Sequence, residues 1–430
     1  MKTLGSFPDD FIWGSATSGH QVEGQNQHSN WWHWELKTET QPHSGRAVDY
    51  WNRFEEDHAL MAEMGLQAFR VGIEWARIEP RQGEFDMEAV ARYLEIFDSL
   101  NKHGIKICLT LHHWVVPQWA AEKGDWRNPN MVAWFLEYVR FAVEQFAAYP
   151  FQWVTLNEPM VPALAGYLSA DFPPGRHNYF EFRKVVRNML QAHAGAYQLI
   201  HQQDPQAMVG VAMAYPDLQA WGSTGLAGAY ERFIAGLAKR FIYQAWDDSV
   251  KTGKIHPLFG RGEIAGLKDS VDFCGINYYF RMTLRFSFKH ARSLFIDQNA
   301  TPEGIEKNDF GWQIWPKGIR TTISKVWHQF AKPIVITENG IADRNDEKRA
   351  HYITSHLKQI SLCLEDGIPV QGYYHWSFID NFEWNEGFDM AFGLVAVDPE
   401  DPNLTRKPRK SASIYSKIIR ENGRDLNPVL

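Results

Sequence analysis

Residues 152–159 read QWVTLNEP, a run of apolar and β-branched side chains that ends in Asn157 and Glu158 just before a proline. Amphipathic stretches flank it, residues 131–148 (MVAWFLEYVRFAVEQFAA) and 182–201, with apolar positions recurring at three and four, the helical period. The same pattern occurs at residues 11–16 (FIWGSA), 68–75 (AFRVGIEW), 106–113 (KICLTLHH), 208–215 (MVGVAMAY), 272–279 (DFCGINYY), 333–340 (PIVITENG) and 370–377 (VQGYYHWS). The runs are continuously apolar instead of alternating, as parallel strands covered on both faces are. Eight β-then-α units without a Gly/Ser linker or internal repeat predict an α/β protein, a single-domain (β/α)8 TIM barrel over residues 1–430. Polar residues gather at the C-terminal ends of the runs: Arg70 and Glu74, His112 and His113, Asn157 and Glu158, Asn277 and Tyr279, Glu338 and Asn339, and Trp376. In such a barrel these ends meet on the face where active sites are built.

Composition narrows the chemistry. The chain has 430 residues with a net charge of −7 and no long basic run, so nucleic acid is not an expected partner. No stretch approaches the roughly 18 to 20 apolar residues of a membrane span, so no membrane partner is expected either. Cys108, Cys274 and Cys363 fit no metal or disulfide spacing and read as reduced, buried and structural. The opening MKTLGSFPDDFIWG is not a secretory signal, which makes the cytoplasm the expected location. A short basic run, Arg406, Lys407, Arg409 and Lys410, reads as a solvated surface. The 18 Trp, 16 Tyr and 27 Phe, many beside charged and amide residues, suit sugar rings: indole faces pack on pyranose C–H faces while carboxylates and amides bond hydroxyls.

Two runs end in a glutamate, TLNEP with Glu158 and ITENG with Glu338. Across a small barrel they can face one another, and two carboxyls about 5 to 5.5 Å apart are what retaining glycoside hydrolysis uses, one as acid/base and one as nucleophile. The acid must hold its proton, through burial and a neighbouring carboxylate, while the nucleophile must stay ionised. Arg70 is the candidate cation for Glu338, and Asn157 a donor to a sugar hydroxyl.

These strings carry a resemblance. FIWGSATSGHQVEG, FRVGIEWARIEP, TLHHW, TLNEP, GINYY, GWQIWPKG, ITENG and WSFIDNFEWNEGF, in this order over essentially the whole chain, resemble glycoside hydrolase family one, the β-glucosidase-like retaining enzymes. The resemblance implies hydrolysis of terminal non-reducing β-D-glycosyl residues by double displacement, without cofactor or metal. Glu158 then matches the acid/base and Glu338 the nucleophile. Gln21, His113, Asn157 and Glu383 match positions that bond glycone hydroxyls, and Trp114, Trp376 and Trp384 match indole walls. Asn277 is expected near the sugar 2-hydroxyl, Tyr279 on Glu338, and Trp312 in the aglycone region. His112, on the opposite face of its strand from His113, reads as structural.

Relatives acting on 6-phosphorylated glycosides resemble one another in a Ser, a Lys and a Tyr where this chain has Glu383, Met390 and Phe392. A phosphate would meet a carboxylate and no ammonium, so unphosphorylated small β-glycosides or oligosaccharides are the expected partners. Two strings depart from the family pattern, HWVVP with Val115 where Asp is common, and GYLSADFPPG at residues 166–175; both touch aglycone preference. A 6-phospho-β-glycosidase, a non-catalytic sugar-binding barrel and a metal-dependent hydrolase are the competing readings, and the last lacks HxH or HExxH spacing. Oligomeric state is not legible.

Overall fold

In the computed structural model, which describes residues 7–37 and 42–426, the eight runs are parallel strands that close on themselves. They are β1 (Ile12–Ala16), β2 (Ala68–Gly72), β3 (Lys106–Thr110), β4 (Pro150–Asn157), β5 (Met208–Ala214), β6 (Phe273–Asn277), β7 (Ile334–Asn339) and β8 (Val370–Trp376). Each strand pairs with its neighbours in sequence, and β1 closes the barrel against both β2 and β8. Every residue of β2, β6 and β7 is buried, which is why these strands are apolar without alternation.

Two apolar layers hold the barrel. Inside it, small side chains predominate, with Ala16, Ala68, Cys108, Val154 and Ala212 packed around Phe273, Val335 and Tyr374. Eight strands leave room for little more. Gly14 has no Cβ because one would lie 2.6 Å from the Tyr374 ring. The second layer lies between strands and helices, among them Tyr50–Met64, Met87–Lys102, Met131–Phe146 and Tyr179–Gln203. Asp86 and Asn178 cap two of these helices, each accepting two backbone N–H groups of the first turn. All three cysteines are buried and unpaired.

Several expected runs overshoot the ladder. β2 stops at Gly72, before Glu74, and β3 at Thr110, before both histidines, so the polar tails stand above the hydrogen-bonded barrel. At the glutamates the register slips, between Val154 and Asn157 on β4 and after Ile336 on β7. Such irregularities re-aim side chains at a barrel rim. A small sheet of Asp217–Ala220, Arg281–Phe286 and Ile296–Asp297 lies outside the barrel. Among the described residues no helix is long and apolar enough to cross a membrane.

The basic run near the C-terminus is not the solvated surface its sequence suggests. Arg406 is buried and forks onto Asp57 of helix Tyr50–Met64, at 2.9 and 3.0 Å. Arg409 forks onto Asp380 at 2.9 and 2.8 Å, while Lys407 and Lys410 are exposed. Sequence shows the cations but not carboxylates that lie far away along the chain. Asp57→Ala would strand the Arg406 charge and lower stability by about 3–5 kcal/mol, read as a lower urea midpoint at unchanged slope.

Candidate active site

The site is organised around a cation with no access to solvent. Arg70 on β2 is fully buried, and its Nε donates to Thr110 Oγ1 at 3.0 Å. Nη2 donates to Asn157 Oδ1 at 2.7 Å, and Nη1 to Glu338 Oε1 at 2.5 Å and to the Thr337 carbonyl at 3.3 Å. The hydroxyl of Tyr279 donates to the other oxygen of Glu338 at 2.5 Å. Glu338 thus accepts from a cation and a phenol.

Glu158 is bonded differently. It sits at φ 44°, in the left-handed region that only tertiary context holds for such a residue, and its backbone N–H donates to Ala212 O at 2.7 Å. Among the described residues its carboxyl accepts one bond, from Asn277 Nδ2 at 3.0 Å. Burial, and then the charge of Glu338, push Glu158 up to about 8. Burial also raises Glu338, but the charge of Arg70 and the Tyr279 hydroxyl pull it back. Arg70 and Tyr279 thus favour the ionised form at Glu338 over Glu158.

Asn277 commits both amide hydrogens to Asn157 and Glu158, and its carbonyl accepts from Thr337 Oγ1 at 2.6 Å. Its expected contact with a 2-hydroxyl therefore requires exchange of one of these bonds. Asn157 donates to His113 Nε2 at 3.0 Å, which leaves one N–H for a sugar. With Nε2 accepting, neutral His113 carries its proton on Nδ1, which has no partner among the described residues. Burial, and then Arg70, hold His113 well below the usual imidazole range. Its ring stacks between Trp376 and Trp384, at 5.9 and 6.2 Å. His112, as expected, turns away and lies edge-on to Trp126 at 5.3 Å.

The remaining expected residues fall into two aromatic walls and one polar corner. Trp114 and Trp384, both at positive φ, pack 4.7 Å apart, and the indole of Trp114 has an unpartnered N–H. His20 stacks on Trp384 from behind and is itself held by Glu35 at 2.8 Å. On the other wall Trp312 stacks on Phe280 and Phe310, and Phe392 is buried edge-on to Tyr279. In the corner, Gln21 Nε2 reaches Asn381 Oδ1, Phe382 O and Glu383 Oε2 at 2.9, 2.9 and 3.1 Å. Burial, and then Glu338, raise Glu383 to about 8. Glu74 is structural: it accepts from His20 N and Asn26 Nδ2, both at 2.9 Å.

Sequence reasoning missed several supports. Thr110 and Thr337 look like ordinary β-formers, and no local signal sets them apart. Phe172, 5.0 Å from Trp31 and 5.5 Å from Trp114, joins the first wall, and Val115 is buried in the same cluster. The two departing strings thus meet, and this was the available signal.

The unequal bias of the two acids gives two expectations. Activity that needs protonated Glu158 falls as pH rises through about 8. Tyr279→Phe removes a donor to ionised Glu338, so that carboxyl keeps its proton to higher pH. The acid limb of kcat/KM then moves up while the alkaline limb moves less; an unmoved acid limb in the pH-rate profile would contradict this assignment.

The family model described as glycosyl hydrolase family 1 matches residues 3–424. Beta-glucosidase A of Acetivibrio thermocellus is 31% identical over 449 residues, covering 97% of this chain and 99% of that protein. The solved beta-glycosidase from Pyrococcus horikoshii superposes with a TM-score of 0.88 at 35% identity, over 97% of this chain and 95% of that one. A beta-glucosidase from Thermotoga maritima in complex with deoxynojirimycin superposes with a TM-score of 0.87 at 28% identity, over 97% and 99%. The matched span contains every string on which the resemblance rested, and the chain belongs to glycosyl hydrolase family 1.

Proposed function

We propose that this protein is a retaining β-glycosidase of the β-glucosidase type that releases terminal non-reducing β-D-glycosyl residues, with Glu338 as nucleophile and Glu158 as acid/base. The observation that carries the assignment is the unequal bonding of the two acids: Arg70 and Tyr279 both donate to Glu338, whereas Glu158 accepts one neutral amide. In the first step a Glu338 oxygen attacks the anomeric carbon, the bond to the aglycone oxygen breaks, and Glu158 delivers its proton to that oxygen. Glu158, now ionised, takes a proton from water as the water oxygen attacks the anomeric carbon and displaces Glu338. Both acids return to their starting states.

Gln21 and Glu383 bond glycone hydroxyls, the His113 Nδ1–H and the free Asn157 N–H donate to others, and the indoles of Trp114, Trp376 and Trp384 face the ring. Trp312 serves the aglycone side. The glycone is unphosphorylated, since the position that would meet a phosphate offers Glu383, Met390 and Phe392 and no ammonium. Residues 1–430 act as one catalytic domain on small β-glycosides or oligosaccharides. Three buried, unpaired thiols suit a reducing compartment and support a cytoplasmic location.

Initial rates on an aryl β-D-glucoside should exceed those on its 6-phosphate by at least about a hundredfold, and the reverse order would overturn the reading of Glu383. Glu338→Gly should lose at least about a thousandfold in kcat and regain turnover with azide, giving the α-glycosyl azide. Glu158→Ala with azide should give the β-anomer. Product anomers exchanged between these variants would reverse the two roles.

A further inference from the structure

Outside the site, the excursions that follow β5 and β6 carry an unusual surface. Helix Gly225–Lys239 packs on strand Arg281–Phe286, and a short turn, Phe288–Ser293, leads to strand Ile296–Asp297. Phe288 is 79% exposed, Phe233 65%, Leu294 62% and Phe295 41%. Phe288, Leu294 and Phe295 are not scattered. Phe286 lies 4.8 Å from Phe288 and 5.8 Å from Tyr230, Phe288 and Phe295 are 6.4 Å apart, and the Tyr230 hydroxyl fixes Leu294 O at 2.8 Å. A contiguous exposed apolar patch marks an interaction surface.

Its charge identifies the occupant. Arg285, Lys289 and Arg232 are exposed around the patch, and none of them forms an ion pair among the described residues. Of the two carboxylates nearby, Glu231 is buried and already accepts from Ser223 and from the backbone N–H of Phe286, and half-buried Asp297 sits across the strand pair from Arg285, 4.0 Å from His290, which leaves the exposed cations in excess. A chain with net charge −7 thus presents cations where its aromatics protrude. A twofold pairing of two such faces would oppose cation to cation, which disfavours a second copy. Protruding Phe and Leu ringed by Arg and Lys are what an anionic bilayer surface attracts, through partitioning of the apolar groups at the headgroup boundary and attraction of the cations to lipid phosphate.

We propose that this face docks the protein peripherally on an anionic lipid surface, with Phe288, Leu294 and Phe295 entering the headgroup region and Arg285 and Lys289 on lipid phosphates. Such a contact needs no spanning helix. It does not depend on the catalytic assignment.

The test is co-sedimentation of the full chain with vesicles of phosphatidylcholine alone and of phosphatidylcholine mixed equally with phosphatidylglycerol. The mixed vesicles should carry down the protein at low salt, far less at high salt, and the neutral ones little. Phe288→Asp combined with Leu294→Asp should reduce the vesicle partition coefficient at least about tenfold, and Lys289→Glu about fivefold, with hydrolysis of a soluble aryl glycoside unchanged. Absence of binding to the mixed vesicles, or equal binding by the variants, overturns the proposal. So does a concentration-dependent dimer in sedimentation equilibrium that the double variant abolishes while no lipid is bound, since the face then joins copies of this chain.

Discussion

A guanidinium enclosed on all sides is the constraint from which the site follows. Arg70 is fully buried, so the interior must supply acceptors for its fork, and an anion among them. Thr110, Asn157, Thr337 and Glu338, from β3, β4 and β7, do so. Closure of the barrel is what allows strands so distant in sequence to reach one group. Replacing any of these acceptors would affect an ionised pair and a strand junction together.

The same cation explains why two acids in one pocket differ. Both are buried, and burial alone would leave both protonated. Arg70 and Tyr279 favour the charged form of Glu338, and that charge in turn opposes ionisation of Glu158. One bond network thus biases the two acids in opposite directions. The left-handed backbone at Glu158, Trp114 and Trp384 is the accompanying geometric cost.

Much of this was legible in the sequence. All eight strands were, because a parallel barrel writes each strand as an apolar run with a polar tail, and the tails named Arg70, Asn157, Glu158, Tyr279 and Glu338. Less legible were features whose cause lies elsewhere in the chain. Arg406 and Arg409 looked solvated since Asp57 and Asp380 are recognisable as partners only after folding. The outer sheet of Asp217–Ala220 and Arg281–Phe286 escaped notice because its strands are short, half-buried and paired across intervening helices and a barrel strand. Thr110 and Thr337 carry no mark that separates a ligand of Arg70 from any strand threonine.

The fork between Arg409 and Asp380 bears on how the protein is made. Asp380 lies three residues before Glu383, accepts the backbone N–H of Gly393, and is pinned by a side chain close to the end of the chain. Glu158 and Glu338 both lie well before Arg409 in the chain, so a ribosome makes both before it supplies that anchor. The nascent chain therefore passes through a stage that holds both rim glutamates but lacks the anchorage of the loop that carries Glu383.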